Sequence, residues 1–271
     1  MTPLRLAIAG CTGRMGRTLI RLAGRDPAFE VVAAVTEADD PALGQDAGSL
    51  AGVDALRIRV RDRCEAACDA LIEFTSRAGC RAWANWCAEH AVPLVSGTTG
   101  LEQADQAALE AAANRVPVVW SPNMSVGINL LLRLVTELAE VLDESWDVEI
   151  CEAHHRQKVD APSGTARALF EAVCRARGKD PQIVGVFGRS DPDGPRRPGE
   201  IGIHALRLGD NVGEHEVHFA AAGEVLTLRH RALSRDIFAA GALRAARWIV
   251  GRPPGLYQMH DVLSARQRDL G

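Results

Sequence analysis

A chain of 271 residues, 47% hydrophobic and 24% charged, has an ordinary globular composition and is long enough for one large domain or two modest ones. Its net charge of −4 leaves no electrostatic footprint for nucleic acid, and no apolar run reaches the ~18 residues of a membrane helix. Its 7 scattered cysteines include no Cys-x-x-Cys pair, which excludes a disulfide framework and points to a reducing compartment.

The apolar run 4–9 is too short for a secretory core and leads into glycines, so a cytoplasmic protein is expected. Short apolar strands are predicted over 4–9, 31–35, 70–74, 93–96 and 116–120. They alternate with helices over 14–23, 78–90 and 102–114. This alternation predicts an α/β domain with a parallel sheet over 1–125, whose ligands bind beyond the carboxyl ends of the strands. The loops to inspect there are 10–16, 74–76, 97–100 and 121–124.

The first of these loops, Gly10-Cys11-Thr12-Gly13-Arg14-Met15-Gly16, is a shifted form of a dinucleotide-binding turn, with Thr12 at the usual second glycine. Gly10 suits the tight turn, Gly13 a close approach to pyrophosphate, and Gly16 close packing of the helix on the sheet. The ribose contact is expected at the end of the second strand, in Thr36 and Glu37. Glu37 there would favour NAD, whereas Arg14 would meet a 2′-phosphate. Asp39 and Asp40 read as a solvated loop.

From about residue 125 the pattern changes. A helix is expected over 127–142, a strand over 146–151, and a helix over 163–177 stopped by Gly178. An exposed loop should follow over 188–200. Three alternating strands, 201–208, 214–220 and 224–230, turn at Gly209-Asp210-Asn211 and at Ala222-Gly223. They predict an antiparallel or mixed sheet whose exposed face suits an oligomer contact. A last helix over 236–250 is expected to return to the first domain. The domains therefore read as 1–125 completed by 235–271, and 126–234.

The densest chemistry lies in 152–166, EAHHRQKVDAPSGTA. His154 and His155 adjoin at a strand end and face opposite sides if the strand continues. Either imidazole exchanges protons near neutral pH. Lys158 follows four residues after His154. Asp160 or Ser163 caps the next helix, and Gly164 and Thr165 open its first turn, where free N–H groups suit a carboxylate. Cys151, His154 and His155 lack a fourth ligand at a familiar spacing, so no metal is expected. His90, His204, His215, His218, His230 and His260 read as surface or strand residues, and the five tryptophans as core or interface aromatics.

With these motifs in hand, the chain resembles the dihydrodipicolinate reductase family over nearly its whole length. The resemblance rests on GCTGRMGR at 10–17, IEFT at 72–75, GTTG at 97–100, NMSVG at 123–127 and the 152–166 run, with later matches at 201–202, 209–210, 212–215 and 234–235. It implies a Rossmann-type dinucleotide-binding domain and an α+β substrate and tetramerisation domain in a cytoplasmic homotetramer. It implies hydride transfer from NADH or NADPH to a dihydrodipicolinate-type dicarboxylate, in lysine and diaminopimelate synthesis. By position, His154 would donate and accept a proton and Lys158 would be the second proton donor. His155, Ser163, Gly164 and Thr165 would bind substrate. The residues from Gly10 to Met15, with Gly97, Thr98, Thr99, Ser121, Pro122, Asn123 and Met124, would line the cofactor.

Two departures stand out. The family usually has an acid where Thr36 stands, in some members followed by an Arg where Glu37 stands, which leaves the choice between NADH and NADPH open. It also usually has Asp where Glu73 stands. Another NAD(P)-dependent reductase of a small dicarboxylate, or a non-catalytic NAD(H) sensor, are the competing readings.

Overall fold

The computed structural model describes residues 2–190 and 194–264, and the tail of the expected 235–271 stretch lies outside the described residues from 265 on. Chain contacts divide into two compact units. One holds the chain up to Val126 together with the C-terminal segment from Asp236, and the other holds Gly127–Arg235. No helix among the described residues is long and apolar enough to cross a membrane.

The first unit opens with β1 (Leu4–Ala9), α1 (Arg14–Ala23), β2 (Phe29–Val35), α2 (Ala47–Leu50) and β3 (Val60–Arg61). It continues with β4 (Ala70–Glu73), α3 (Arg77–His90), β5 (Leu94–Ser96), α4 (Gln103–Ala113) and β6 (Pro117–Trp120). In the second unit come α5 (Val126–Val141), β7 (Asp147–His154), α6 (Gly164–Ala176), α7 (Pro181–Val184) and β8 (Gly185–Phe187). They are followed by β9 (Ile201–Arg207), β10 (Gly213–Ala221) and β11 (Glu224–Ala232). The chain then returns to the first unit with α8 (Asp236–Ile249), β12 (Gly255–Tyr257) and α9 (Met259–Ser264).

The first sheet is parallel, ordered β3-β2-β1-β4-β5-β6-β12. Its strands are mostly apolar because both faces are covered, with the charged residues Arg5, Glu30, Arg61 and Glu73 in or near their first or last positions. Leu6 and Ile8 pack with Ile72, Val95 and Val119 on the side of α1 and α8, while Ala7 and Ala9 pack with Leu71, Leu94 and Val118 on the side of α3 and α4. Strand order reverses direction of travel between β1 and β4, so their carboxyl ends flank the crevice where such sheets bind nucleotides.

The second sheet is mixed, ordered β11-β10-β7-β9-β8. Val148, Ile150, Ile201, Ile203, Val217 and Phe219 bury one face against Ile128, Leu131 and Val135 of α5 and Leu169 and Val173 of α6. The other face is polar. Glu149 there gathers Arg189 at 2.9 Å, Arg196 at 2.7 Å and His204 at 2.6 Å. The 188–200 loop is mostly exposed, as expected, and two of its arginines tie it to the sheet, with 191–193 outside the described residues.

Short turns mislead about strand neighbours here. β10 and β11 form a hairpin, but β9 and β10 do not pair; β7 lies between them, parallel to β9 and antiparallel to β10. Local turn chemistry sees only chain neighbours, and the slot between β9 and β10 is filled by a strand some fifty residues earlier. The structure also carries β7 through His154, three residues beyond the expected end. The elements α2, β3, α7, β8, β12 and α9, each of six residues or fewer, are too brief to show a periodicity.

Candidate active site

In the first unit the turn after β1 is shaped by glycine. Gly10 has φ +75°, and a Cβ on it would lie 2.4 Å from the Phe74 carbonyl oxygen. A Cβ on Gly16 would lie 2.1 Å from the Gly10 carbonyl oxygen, so α1 sits directly on the turn. Gly13 is the N-cap of α1 and offers no side-chain cap, so no cap side chain competes with an anion for the first-turn N–H groups. One pocket gathers Gly10, Thr12, Gly13, Thr36, Glu37 and Asp40 with Phe74, Thr75 and Trp83. A glycine cradle at a helix start, an acidic ribose side and an aromatic wall fit a dinucleotide.

Not every residue of that turn faces the pocket. Cys11 is fully buried in the core, its thiol pushed up to about 12 by burial and then by the Asp40 charge. Its N–H is spent on the Val35 carbonyl at 3.0 Å. Met15 packs against the core and Arg14 is exposed. Asp40 corrects the sequence expectation. Its Oδ2 lies 2.7 Å from the Thr12 hydroxyl and 2.8 Å from the Thr36 hydroxyl, and its Oδ1 accepts the Ala42 N–H at 2.8 Å. The Thr12 hydroxyl, the Ala42 N–H and the Thr36 hydroxyl together hold its carboxyl below the usual range. Trp83 packs against the core as expected and also stands on the pocket wall.

At the end of β4 the fully buried Glu73 organises the neighbouring loops. Its Oε2 accepts from the Thr75 and Thr98 hydroxyls, each at 2.7 Å, and from the Thr75 N–H at 3.0 Å, and its Oε1 accepts from Ser96. Such donors are what a buried carboxylate requires. Thr98 is therefore turned inward, Thr99 is exposed, and a Cβ on Gly97 would collide with the Phe74 ring at 2.1 Å. Beyond β6, Ser121 donates to the Asn123 carbonyl at 2.8 Å, and the Asn123 side chain accepts the Ser125 N–H at 2.9 Å. Pro122 is exposed and Met124 is core. These two loops lie at carboxyl ends of the same parallel sheet but outside the pocket around Thr12.

In the second unit, alternation along β7 puts Glu152 and His154 on one face. His215 of β10 stands in register with Glu152. Glu152 Oε2 takes His154 Nδ1 at 2.5 Å and Arg207 Nη1 at 2.9 Å; its Oε1 takes Arg207 Nη2 at 2.9 Å and the Ser163 N–H at 3.1 Å. Burial alone would raise this carboxyl, but the hydrogen bonds from His154, Arg207 and Ser163 hold it down to about 2. Ser163 caps α6, its Oγ accepting the Ala166 N–H at 3.2 Å and lying 3.1 Å from His215 Nε2. The His154 and His215 rings meet edge-on, 5.2 Å apart. Burial first, and then the charge of His154, push His215 down to about 3, so it is neutral.

His155 starts the loop after β7, with its Nε2 3.5 Å from Arg235 and its Nδ1 without a partner. The Lys158 ammonium donates to Asp160 at 2.7 Å, and its charge reaches His215. Above Gly164 there is open space, which leaves the first turn of α6 accessible. The structure thus brings His154 and Ser163 into one cluster with Glu152, Arg207 and His215, with His155, Lys158, Gly164 and Thr165 on the adjoining loop and helix start. Glu152 and Arg207 carry no role in the sequence-based expectation, and His215 is expected there only as a surface or strand residue. Glu152 is signalled by its i−2 spacing from His154, and His215 by its alternation with Val217 and Phe219. Arg207 carries no local signal.

Comparison with known proteins places the chain in a family. Residues 4–124 match the family described as dihydrodipicolinate reductase, N-terminus, and residues 127–263 match dihydrodipicolinate reductase, C-terminus. The chain is 48% identical over 266 residues to the 4-hydroxy-tetrahydrodipicolinate reductase of Thiobacillus denitrificans, covering 97% of this chain and 99% of that one. It is also 48% identical over 262 residues to the Alkalilimnicola ehrlichii protein of the same name, covering 96% and 98%. Among solved structures, the dipicolinate-bound dihydrodipicolinate reductase from Paenisporosarcina sp. TG-14 shares the fold, with a TM-score of 0.75 at 22% identity over 94% of this chain and 97% of that one. With both halves of the chain matched in order and relatives of nearly equal length at this identity, the chain belongs to the dihydrodipicolinate reductase family.

Proposed function

We propose that this chain is a 4-hydroxy-tetrahydrodipicolinate reductase that uses NADH, NADPH or both, in lysine and diaminopimelate biosynthesis. The observation that carries the reading is the buried Glu152–His154 pair beside the open first turn of α6. It sets a proton-transfer group next to an anion-binding helix start, as reduction of a small dicarboxylate requires. Full-length similarity to reductases of this name supports it.

A bound nicotinamide supplies the hydride. The chain's own residues do the rest. His154 presents its Nε2 as proton donor and acceptor, and Lys158, released from Asp160, is the second proton donor. His155 and the N–H groups of Gly164 and Thr165 hold substrate carboxylates. Ser163 shapes that turn, because its own N–H is spent on Glu152 and its hydroxyl on the Ala166 N–H and His215. In the nucleotide site Gly10, Gly13, Arg14 and Met15 cradle phosphates, and Thr12, Thr36 and Glu37 meet the ribose. Gly97, Thr98 and Thr99, and Ser121, Pro122, Asn123 and Met124, form the rest of the wall. Cys11, Thr98 and Met124 contribute through backbone alone, since their side chains face inward, and the Cys11 N–H is already spent on Val35.

Loss of reduced-nicotinamide absorbance on adding the protein to freshly generated substrate, with NADH and NADPH in parallel, tests this reading. Nucleotide binding without turnover of this substrate would move the assignment to another dicarboxylate reductase or to a sensor. Membership in this family is the ground for proposing a cytoplasmic homotetramer, and the exposed β11 side of the second sheet offers a contact surface. Light scattering should then give about four times the 29.1 kDa chain mass.

A further inference from the structure

Glu152 has an unusually complete set of partners. An ionised carboxylate offers about four acceptor sites, and here each oxygen takes two donors: His154 Nδ1 and Arg207 Nη1 on Oε2, Ser163 N–H and Arg207 Nη2 on Oε1. The side chain is fully buried, and the guanidinium approaches as a two-pronged fork. Arg207 is itself held, donating from Nη1 to the Leu206 carbonyl at 2.7 Å and from Nη2 to the Asp160 carbonyl at 2.6 Å. A saturated, ion-paired carboxylate has no reason to take up a proton, and it is not placed to donate one.

We infer that Glu152, clamped by Arg207, is a positioning residue that fixes His154 as the Nδ1–H tautomer, so that Nε2 is the atom that exchanges protons. This rests on the proposed proton-transfer role of His154 and adds to it the residues that aim the ring. With Oε2 accepting only, Nδ1 must carry the hydrogen whether the ring is neutral or charged. The opposite edge is kept clear by a glycine. A Cβ on Gly213 would stand 3.0 Å from Nε2, so any side chain there would crowd the working atom. The same carboxylate holds the Ser163 N–H, so one group sets both the imidazole and the start of α6 where the anion binds. The charged and titratable groups around His154 are Glu152 on its own strand, Arg207 from β9, His215 from β10, and Lys158 and Asp160 from the loop, with His230 of β11 behind His215. Of these, Glu152 alone bonds to the ring nitrogen.

The test reads the tautomer directly. Nitrogen-15 spectra of the full-length protein at alkaline pH, with the His154 ring assigned by its absence in His154→Gln, should show hydrogen on Nδ1. In Glu152→Gln the amide nitrogen can face the ring, so hydrogen should move wholly or partly to Nε2. In the same variant kcat should fall about 100-fold, in the range expected for a misplaced general acid or base, with KM changed only a few-fold. Glu152→Asp should restore the Nδ1–H form and part of kcat. Arg207→Lys, which keeps the charge and loses the fork, should lower kcat about tenfold. Hydrogen on Nε2 in the wild type, or an unchanged tautomer in Glu152→Gln, would overturn the inference whether or not turnover is seen. Absence of turnover in the wild type would sink the proposed reaction while the spectra still decide the tautomer.

Discussion

In the first unit the loops at the carboxyl edge of the sheet are shaped by leaving side chains out: Gly10, Gly16 and Gly97 each stand where a Cβ would lie within 2.4 Å of a neighbouring atom. Polar groups there, such as Asp40 with Thr12 and Thr36, sit at the rim and remain partly open to solvent. In the second unit the cluster is built around one carboxylate, Glu152, whose two oxygens each take two donors. Glu152, His154, Ser163 and His215 are all buried and bonded to one another or to Arg207. A backbone cradle binds a large cofactor by shape and by helix N–H groups, and its side chains need little tuning. A proton-transfer site depends on the protonation of one ring, which only a fixed electrostatic surrounding sets. The two sites should therefore fail in different ways.

The largest expected effect separates them most cleanly. His154→Ala should lower kcat about 10²–10⁴-fold, and Lys158→Ala about 10²-fold, the usual weight of a positioned general acid. Dissociation constants for NADH and NADPH, measured by calorimetry, should stay at the wild-type value. Near-normal turnover in both variants would remove the acid roles given to these side chains.

His215 carries the next effect, on stability. Burial and the nearby charges of His154, His230 and Lys158 outweigh the opposing pull of Glu152, so the folded ring protonates only near 3 against an ordinary 6.5. Between those values the unfolded chain holds the extra proton. Stability contributed by the neutral ring is thus complete above about pH 6.5 and is lost as pH falls toward 3, by on the order of 4 kcal/mol at about 1.4 kcal/mol per unit. His215→Asn should be less stable than wild type at pH 7 by about 1 kcal/mol, for the weakened Ser163 bond. It should be the more stable protein at about pH 4. Denaturant midpoints at the two pH values check this, and curves that never cross would show that His215 is not held neutral.

These two cases show how far the sequence could be read. The parallel sheet was legible because runs such as 4–9 are apolar on both faces and are followed by small residues and a helix. His154, Lys158 and the α6 start were legible because they crowd into fifteen residues. The hidden parts are those made by distant chain segments meeting. β7 slides between β9 and β10, and only that placement brings Arg207 and His215, each more than fifty residues away in the chain, onto Glu152 and Ser163. Asp40 was hidden differently. Two neighbouring aspartates look alike as a solvated pair until the turn at Ala42 points one of them at Thr12.

Gly16→Ala should act on the cradle and spare the proton chemistry. Its Cβ would stand 2.1 Å from the Gly10 carbonyl oxygen and 2.6 Å from Cys11 Cα, both backbone atoms that cannot rotate away. Either α1 lifts off the turn or the turn deforms, at a cost of about 1–3 kcal/mol. The melting temperature should fall and nicotinamide binding should weaken about tenfold or more, as the helix start leaves the phosphates. An unchanged affinity would mean that this turn does not hold the pyrophosphate.

The smallest effect concerns cofactor choice, and Asp40 rather than Glu37 should set most of it. Both acids line the pocket at the end of β2. Asp40 is pinned by two threonine hydroxyls and a backbone N–H and stays ionised, whereas Glu37 is exposed and free to swing into solvent, where salt screens it. A fixed carboxylate repels a ribose 2′-phosphate and tolerates a 2′-hydroxyl, so kcat/KM should favour NADH. Asp40→Asn keeps an oxygen for the threonines and removes the charge. It should move the NADH to NADPH ratio toward NADPH about tenfold, roughly 1.4 kcal/mol in barrier, and Glu37→Gln should move it less. A wild type that prefers NADPH would instead make Arg14 the phosphate partner, and Arg14→Ala would then erase that preference while Asp40→Asn left it in place.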